Sequence, residues 1–581
     1  MFNARPFIPV LMLAVSVSAC AAPESIADSE TCERADTCFE FCLCATHEVE
    51  QCKSACDKQG NLSPTGGGWA SGGAGPGSGA GGSGAGGSGA GGSGAGGSGA
   101  GGGSGAPAGG SGGNPASGGQ GGAQSPAGAL ASGIDIAEIA VYQGVKISIA
   151  KGGSAITNRN APVVAGRPAL VRVFLSPRPG FSPRELLVRL TLAGKNYEKK
   201  QLVSAASTDE TLASSVNFQL DSSAIGKASD YSVSVEETGA AAGGDTKGAR
   251  HPSQGTEALG AKDAGGKLDV VIVPIVVGGQ APDTSPARLD AYQQRLFQLY
   301  PVPDVTVSLH APVTYSGSIS GKSGSQWGAA LDFLYSLRSS EQPSSDKYYY
   351  GVFAPAPSFS QYCSGGCIAG LSALSPADDV FSRGSIGLGF FAQNSSFNSP
   401  DTMSHELGHA HGLPHAPCGV AGEGPFPYAG AKIGAWGWDL LGSTLLPPTS
   451  RVDVMSYCDP TWISDFNYDR LFKRVTHVHG VQSQWIVEPN RAPGRFVSVL
   501  VDENGAPSWG HSFDLADPVL GDAVELELLD ESGSARGTTS AYRYALSHTE
   551  GELLLVRESS FATAHAIRRD GRPSLAVAER R

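Results

Sequence analysis

Residues 405–415 read H-E-L-G-H-A-H-G-L-P-H. The run permits few folds, because His405, His409 and His415 make chemical sense together only if the chain brings them to one point. His405 and His409 are four apart, so on a helix they lie one above the other on the same face. Two imidazoles so placed bind one zinc ion at about 2.0–2.1 Å each. Glu406, beside the first of them, is placed to act on a water at the metal. Gly412 lets the chain leave the helix through a left-handed turn that needs no Cβ, and the chain returns with His415 as third ligand. Three protein ligands leave a fourth position for water, which marks a catalytic rather than a structural site. Upstream, Ser399 is expected to cap the helix, Pro400 to take its first position and Asp401 to complement the positive end of its dipole. The alternative, a histidine-rich polar surface helix, needs five fixed positions to match by chance.

Further on comes D-V-M-S-Y-C, Asp453 to Cys458. Together with the histidine run it resembles the metzincin clan of zinc peptidases, in which a Met-turn follows the zinc helix. The resemblance implies an α/β (α+β) catalytic domain holding one zinc ion, with Met455 as a hydrophobic floor beneath it. Tyr457 matches the tyrosine that astacin-like and serralysin-like members place near the zinc, which implies weak ligation or oxyanion stabilisation. The stretch from Tyr348 to Tyr468, with Y-Y-Y-G, C-S-G-G-C-I-A-G and H-A-P-C-G, is similar to secreted bacterial metalloproteases of the StcE/TagA type. Their best-known members cut mucin-like glycoproteins, but the likeness spans only the catalytic region and does not carry the substrate with it. The metzincin arrangement also implies that the segments holding Cys418 and Cys458 come close enough for a disulfide. Cys363 and Cys367 flank S-G-G and are candidates to close a tight loop.

The 581-residue chain is long enough for several domains, and its net charge of −13 argues against a nucleic-acid partner, which would need a basic face. Residues 1–19 carry Arg5, an apolar run and small residues, and read as a signal peptide too short to span a membrane. The ending V-S-A-C resembles a bacterial lipoprotein box with Cys20 as the lipidated residue, which implies an exported protein anchored at the outer membrane or cell surface. The alternative is an ordinary cleaved signal and a secreted protein. Removing Cys20 from the 11 cysteines leaves an even number, suited to an oxidising compartment. Residues 20–63 hold Cys32, Cys38, Cys42, Cys44, Cys52 and Cys56. A block this small needs disulfides in place of a hydrophobic core; a zinc-binding cysteine module is the alternative. Residues 64–128 are nearly all Gly, Ser and Ala with a G-G-S-G-A repeat, and read as a flexible tether.

Residues 129–262 turn to period two, as in I-A-E-I-A-V-Y and L-V-R-V-F-L, and predict an immunoglobulin-like β-sandwich acting as a spacer or substrate guide. Residues 263–482 predict the catalytic domain. L-D-V-V-I-V-P-I-V-V is a buried strand, Ser285-Pro286 opens a helix, Gln326 to Arg338 is a second helix and Tyr348 to Ala354 another strand. Ile386 to Phe391 is expected to be the antiparallel edge strand on which a peptide is laid, and Asp465 to Val475 a closing helix. Residues 483–581 return to β character and predict a further small sandwich. The fold class is therefore multidomain, a metzincin-like α/β domain flanked by β-sandwich domains. His411, about 240° around the helix from His405, points away from the metal. His477 and His479 would share one face of a strand, as a metal pair or as surface residues. Asp401 or Asp453 is expected to accept the second N–H of a zinc histidine.

These readings converge on a zinc endopeptidase acting on an extracellular protein or glycoprotein, with Glu406 as the base. The competing class is a surface-anchored binding or adhesion protein with an inactive peptidase fold. No segment resembles a cysteine-switch propeptide, and neither calcium binding nor oligomeric state is legible.

Overall fold

The strand L-D-V-V-I-V-P-I-V-V is apolar along nearly its whole length because both of its faces are covered. In the computed structural model, which describes residues 128–580 apart from 241–242, 377, 392–396, 423 and 481–487, it is the strand β1 (Leu268–Val277). Leu268, Val270 and Ile272 face one core. Val271, Val273, Ile275 and Val277 face another. The signal peptide, Cys20, the cysteine block and the Gly/Ser/Ala-rich segment lie outside the described residues. The fold is mixed α/β, mostly strands with few helices, arranged in several sheets.

The central sheet also contains β2 (Val305–Leu309), β3 (Val313–Tyr315), β4 (Lys347–Phe353), β5 (Gly370–Ser372) and β6 (Gly384–Leu388). Its order is β2-β1-β4-β6-β5, with β3 also pairing β1. The pairs β1–β2, β1–β4 and β4–β6 are parallel, and β5 alone runs antiparallel, against β6. This corrects the expectation for Ile386 to Phe391. Residues 384–388 are paired on both sides, and the antiparallel strand at the margin is the shorter β5, whose G-L-S sequence is too brief to show a period.

One face of the sheet carries α1 (Pro286–Leu299) and α3 (Ser399–Ala410); the other carries α2 (Gly324–Glu341). In α1 the turn-spaced Tyr292, Leu296 and Leu299 are fully buried. After α3 the chain closes with α4 (Asp465–His479), one turn longer than the expected Asp465 to Val475. His477 and His479 are therefore helical, not on a strand. His477 pairs with Asp378, and His479 meets the carbonyl of Ala264 at 3.3 Å.

Residues 134–258 form two antiparallel sheets with order (154–155)-(146–151)-(134–142)-(169–177)-(216–220) and (257–258)-(230–237)-(184–192)-(195–203). Both contribute to the same core as α1 and α3. The tight turn at 143–145 is the anchor. The Gly144 carbonyl accepts from Trp462 Nε1 at 2.8 Å and from Trp438 N at 2.9 Å, and the Gln143 carbonyl accepts from Tyr468 at 2.8 Å.

The C-terminal region is one seven-stranded antiparallel sheet. Its strands are β7 (Gly494–Val501), β8 (Pro507–Leu515), β9 (Asp522–Leu529), β10 (Ala535–Ala545), β11 (Glu552–Arg557), β12 (Ala566–Arg568) and β13 (Leu575–Ala576), in the order β8-β7-β11-β10-β9-β12-β13. Phe496, Phe513, Tyr542, Tyr544 and Leu555 pack with Trp327 and Leu331 of α2. Polar ties run across the same seam. His511 donates its backbone N–H to Asp332 at 2.9 Å, and the Tyr544 hydroxyl donates to Asp379 at 2.8 Å.

Candidate metal centre

Helix α3 begins one residue earlier than its sequence signals indicate. Asn398 is the N-cap and Ser399 the first helical residue. The Ser399 hydroxyl is fully buried, donates to Leu388 O at 2.6 Å and meets the Tyr292 hydroxyl at 2.7 Å, so it fastens the helix to β6 instead of capping it. Asp401 lies in the first turn, paired with Arg295 and accepting from Asn398 Nδ2 at 2.7 Å.

His405 and His409 project from one face of α3. The helix ends at Gly412, whose φ of +78° is the left-handed region glycine adopts freely, and Leu413 N caps back to Gly408 O at 2.9 Å. The chain then brings His415 round. His409 Nε2 lies 3.1 Å from His405 Nε2 and 3.1 Å from His415 Nε2. His405 donates its Nδ1–H to the Val454 carbonyl at 2.8 Å, and His409 donates its own to the Leu413 carbonyl at 2.7 Å. Burial holds both rings neutral: it lowers His405 to about 4, against the pull of Glu406, and carries His409 well below the ordinary histidine value. Two neutral imidazoles with protonated Nδ1 turn bare Nε2 lone pairs toward each other, which is unfavourable unless a cation lies between them. Ligands about 2.0–2.1 Å from one tetrahedral ion stand roughly 3.4 Å apart, so the donor set and its spacing fit zinc. Backbone carbonyls fix these two tautomers, which corrects the expectation that Asp401 or Asp453 does so.

Asp453 has a different task. Fully buried, it accepts from Met455 N at 2.8 Å, Ser464 N at 2.9 Å and Asn467 Nδ2 at 2.8 Å, and so shapes the turn that carries Met455. Met455 is itself fully buried, and a Cβ on Gly408 would lie 2.4 Å from its sulfur, which sets the thioether directly against the histidine helix. His411 faces away from the cluster, stacked on Tyr348 at 4.2 Å.

The segments on either side of the cluster are bound to each other. Ala416 N donates to Met455 O at 2.9 Å and Tyr457 N to Cys418 O at 2.9 Å. Cys418 and Cys458 are disulfide-bonded with Cα atoms 5.7 Å apart, and Cys363 and Cys367 are bonded across their short loop. The Cys418–Cys458 link spans a sequence separation of 40. Replacing both cysteines by serine is expected to lower stability by ~2–4 kcal/mol in urea unfolding; an unchanged midpoint would show that the backbone bonds suffice.

Glu406 is almost completely buried, and burial pushes its carboxyl up to about 7 despite the opposing influence of His405, His415 and the Ser547 hydroxyl. Gly370 of β5 lies against it: a Cβ there would come within 2.4 Å of Glu406 Oε1. Gly370→Ala is expected to displace the carboxylate and cut kcat/KM about 10²-fold with metal content unchanged, since a shift near 1 Å in a reacting group has that scale of effect. Kinetics alongside metal analysis would check it, and a wild-type rate would refute it.

Two residues at this site are absent from any sequence motif. The Ser547 hydroxyl donates to Glu406 Oε2 at 3.2 Å, and His548 Nε2 lies 2.7 Å from Glu406 Oε1. Both come from the turn after β10 in the C-terminal sheet. The only sequence signal was that His548 is one of 12 histidines. Tyr457, 47 % exposed, lies beside the cluster with its ring 5.1 Å from that of His415, and its hydroxyl is hydrogen-bonded to His548 Nδ1. Among the described residues, His405, His409, His415 and His548 each offer a ligand atom to one group spanning no more than 4.8 Å. A cavity of about 700 Å³ opens beside them, lined by Lys322, Cys367, Gly370, Glu406, Tyr457 and His548 among others.

Residues 380–466, which include His405, His409, His415, Glu406, Met455 and Tyr457, match the family model of Peptidase M66. No curated protein matches the chain. Among solved structures, the crystal structure of metalloproteinase-II from Bacteroides fragilis is similar at 12% identity, covering 57% of this chain and 87% of that one, with a TM-score of 0.20. That value is too low for the likeness to bear on the fold. The family match and the histidine cluster together support a metallopeptidase, an enzyme that requires a bound metal ion.

Proposed function

We propose that the protein is a zinc endopeptidase of metzincin type, held at a bacterial cell surface through lipidated Cys20, that hydrolyses extracellular proteins or glycoproteins. The observation that carries this reading is the convergence of the Nε2 atoms of His405, His409 and His415 beside the buried Glu406. The order of the central sheet, parallel strands with one antiparallel strand at the margin next to the histidine helix, supports the metzincin assignment.

His405, His409 and His415 would hold a zinc ion, which would supply a Lewis acid for the scissile carbonyl. Glu406 removes a proton from the attacking water and delivers it to the leaving amine. Tyr457, on the cleft side of the cluster, is placed to donate to the carbonyl oxygen as charge develops there. The Gly370 backbone, on the open part of β5, offers an edge for the substrate main chain.

The test is metal removal. Dialysis against a zinc chelator is expected to abolish cleavage of a panel of plain and O-glycosylated proteins, and one equivalent of zinc to restore it. Failure to bind metal would overturn the assignment. Metal bound, but no cleavage by the wild-type chain or its His548→Gly variant, would favour the binding-protein reading.

A further inference from the structure

The chain between β10 and β11 meets the site at three points. The first is the edge of the central sheet. Leu374 N donates to Ala545 O at 3.1 Å, Ser547 N to Ser372 O at 2.8 Å, and Ser372 N to Ser547 Oγ at 3.0 Å, with Ala373 bridged antiparallel to Leu546. From Ser372 onward, the margin where a peptide would add a strand is thus filled by this chain. The second is the base: Ser547 and His548 contact both carboxylate oxygens of Glu406. The third is the histidine cluster. His548 has a φ of +57°, a conformation costly for a residue with a Cβ. Its ring centroid lies 5.2, 5.4 and 5.0 Å from those of His405, His409 and His415. The Tyr457 hydroxyl is hydrogen-bonded to Nδ1, and Nε2 faces Glu406 Oε1 at 2.7 Å beside the cluster, so Nε2 is the nitrogen that would turn to an ion there, leaving Glu406.

We infer that His548 is a fourth protein ligand of the metal site, so that the folded protein holds its ion in a closed four-histidine shell, and that residues 545–548 must swing out before a substrate can be cut. A zinc site with four protein ligands is closed, whereas a hydrolytic site keeps one position for water or substrate. A general base must come within about 2.6–3.2 Å of the proton it removes, and the imidazole of His548 stands at that distance from Glu406. One segment therefore fills the sheet margin from Ser372 onward and sets one imidazole nitrogen where it meets either the open coordination position or the base. His548 lies outside the stretch that matches the peptidase family. The inference rests on the metallopeptidase reading above.

The experiment loads the full chain with Co²⁺ and records its visible ligand-field spectrum and affinity, before and after adding a small hydroxamate. His548→Gly is compared with wild type, since glycine accepts the backbone conformation without strain; His548→Ala guards against an effect of backbone relief. The wild-type spectrum is expected to ignore the hydroxamate. Both variants should show an altered spectrum that shifts on hydroxamate binding, and a Co²⁺ affinity lower by at least ~10-fold. Peptide hydrolysis by the zinc forms should rise at least about tenfold, the gain when a competent state populated to roughly a tenth becomes the main one. Identical cobalt spectra in all three proteins, or a wild type that binds hydroxamate as the variants do, would overturn the fourth ligand alone. A fall in hydrolysis in both variants would overturn the obstruction and make His548 a participant in the reaction. No cobalt bound by any of the three would overturn the metal reading itself.

Discussion

Glu406→Gln is expected to lower kcat/KM by ~10³-fold or more while leaving the bound metal in place, because the amide keeps the volume of the buried side chain but cannot take a proton. The site makes this a sharp test. Glu406 is almost completely buried beside the histidines, with Gly370, Ser547 and His548 against it, and none of these three carries a carboxylate to substitute for it. Glutamine can still accept from Ser547, so the fold should hold. The measurement is hydrolysis at fixed metal content, made in wild type and in the His548→Gly background. A Glu406→Gln protein as active as its parent in both would remove Glu406 from the chemistry.

Asp453→Ala is expected to destabilise the fold by ~2–4 kcal/mol, the scale set by stranding buried donors. Three would be stranded: the backbone N–H groups of Met455 and Ser464, and the Asn467 side chain. Burial holds the Asp453 carboxyl above its ordinary range, so its charge is itself a cost that these donors offset. Asp453→Asn, which keeps an acceptor, should lose less. Since Asp453 fixes the turn bearing Met455, and the neighbouring Val454 carbonyl orients His405, the alanine variant should also bind metal more weakly. Urea unfolding with metal titration reads both effects; an alanine variant of wild-type stability would show that water replaces the carboxylate.

What could be read from the sequence was local. His405, Glu406, His409, Gly412 and His415 lie within a single turn-and-return, so spacing alone specifies their geometry. β1 and α1 were legible because their apolar periods are set by burial on known faces. What escaped depends on distant chain. Ser399 looked like a cap because its neighbours have cap chemistry, yet its hydroxyl is used by β6 and Tyr292. The antiparallel margin is expected in 386–391, whereas the short β5 that forms it is recognisable only through its partner. His477 and His479 alternate like strand residues but belong to the last turn of α4. The groups that orient His405 and His409 are backbone carbonyls, which no residue type announces. Ser547 and His548 sit in a β-rich region with no catalytic spacing, and only the packing of the C-terminal sheet on α2 delivers them.

The packing of the C-terminal sheet on α2 limits how this enzyme could be switched on. Shedding the C-terminal sheet by proteolysis would free the cleft, but it would also uncover the side of α2 that carries Trp327 and Leu331. An apolar surface of that kind drives aggregation. A local swing of residues 545–548 with the sheet still seated would open the site without that exposure, and a substrate or surface that pries up one short turn could supply it.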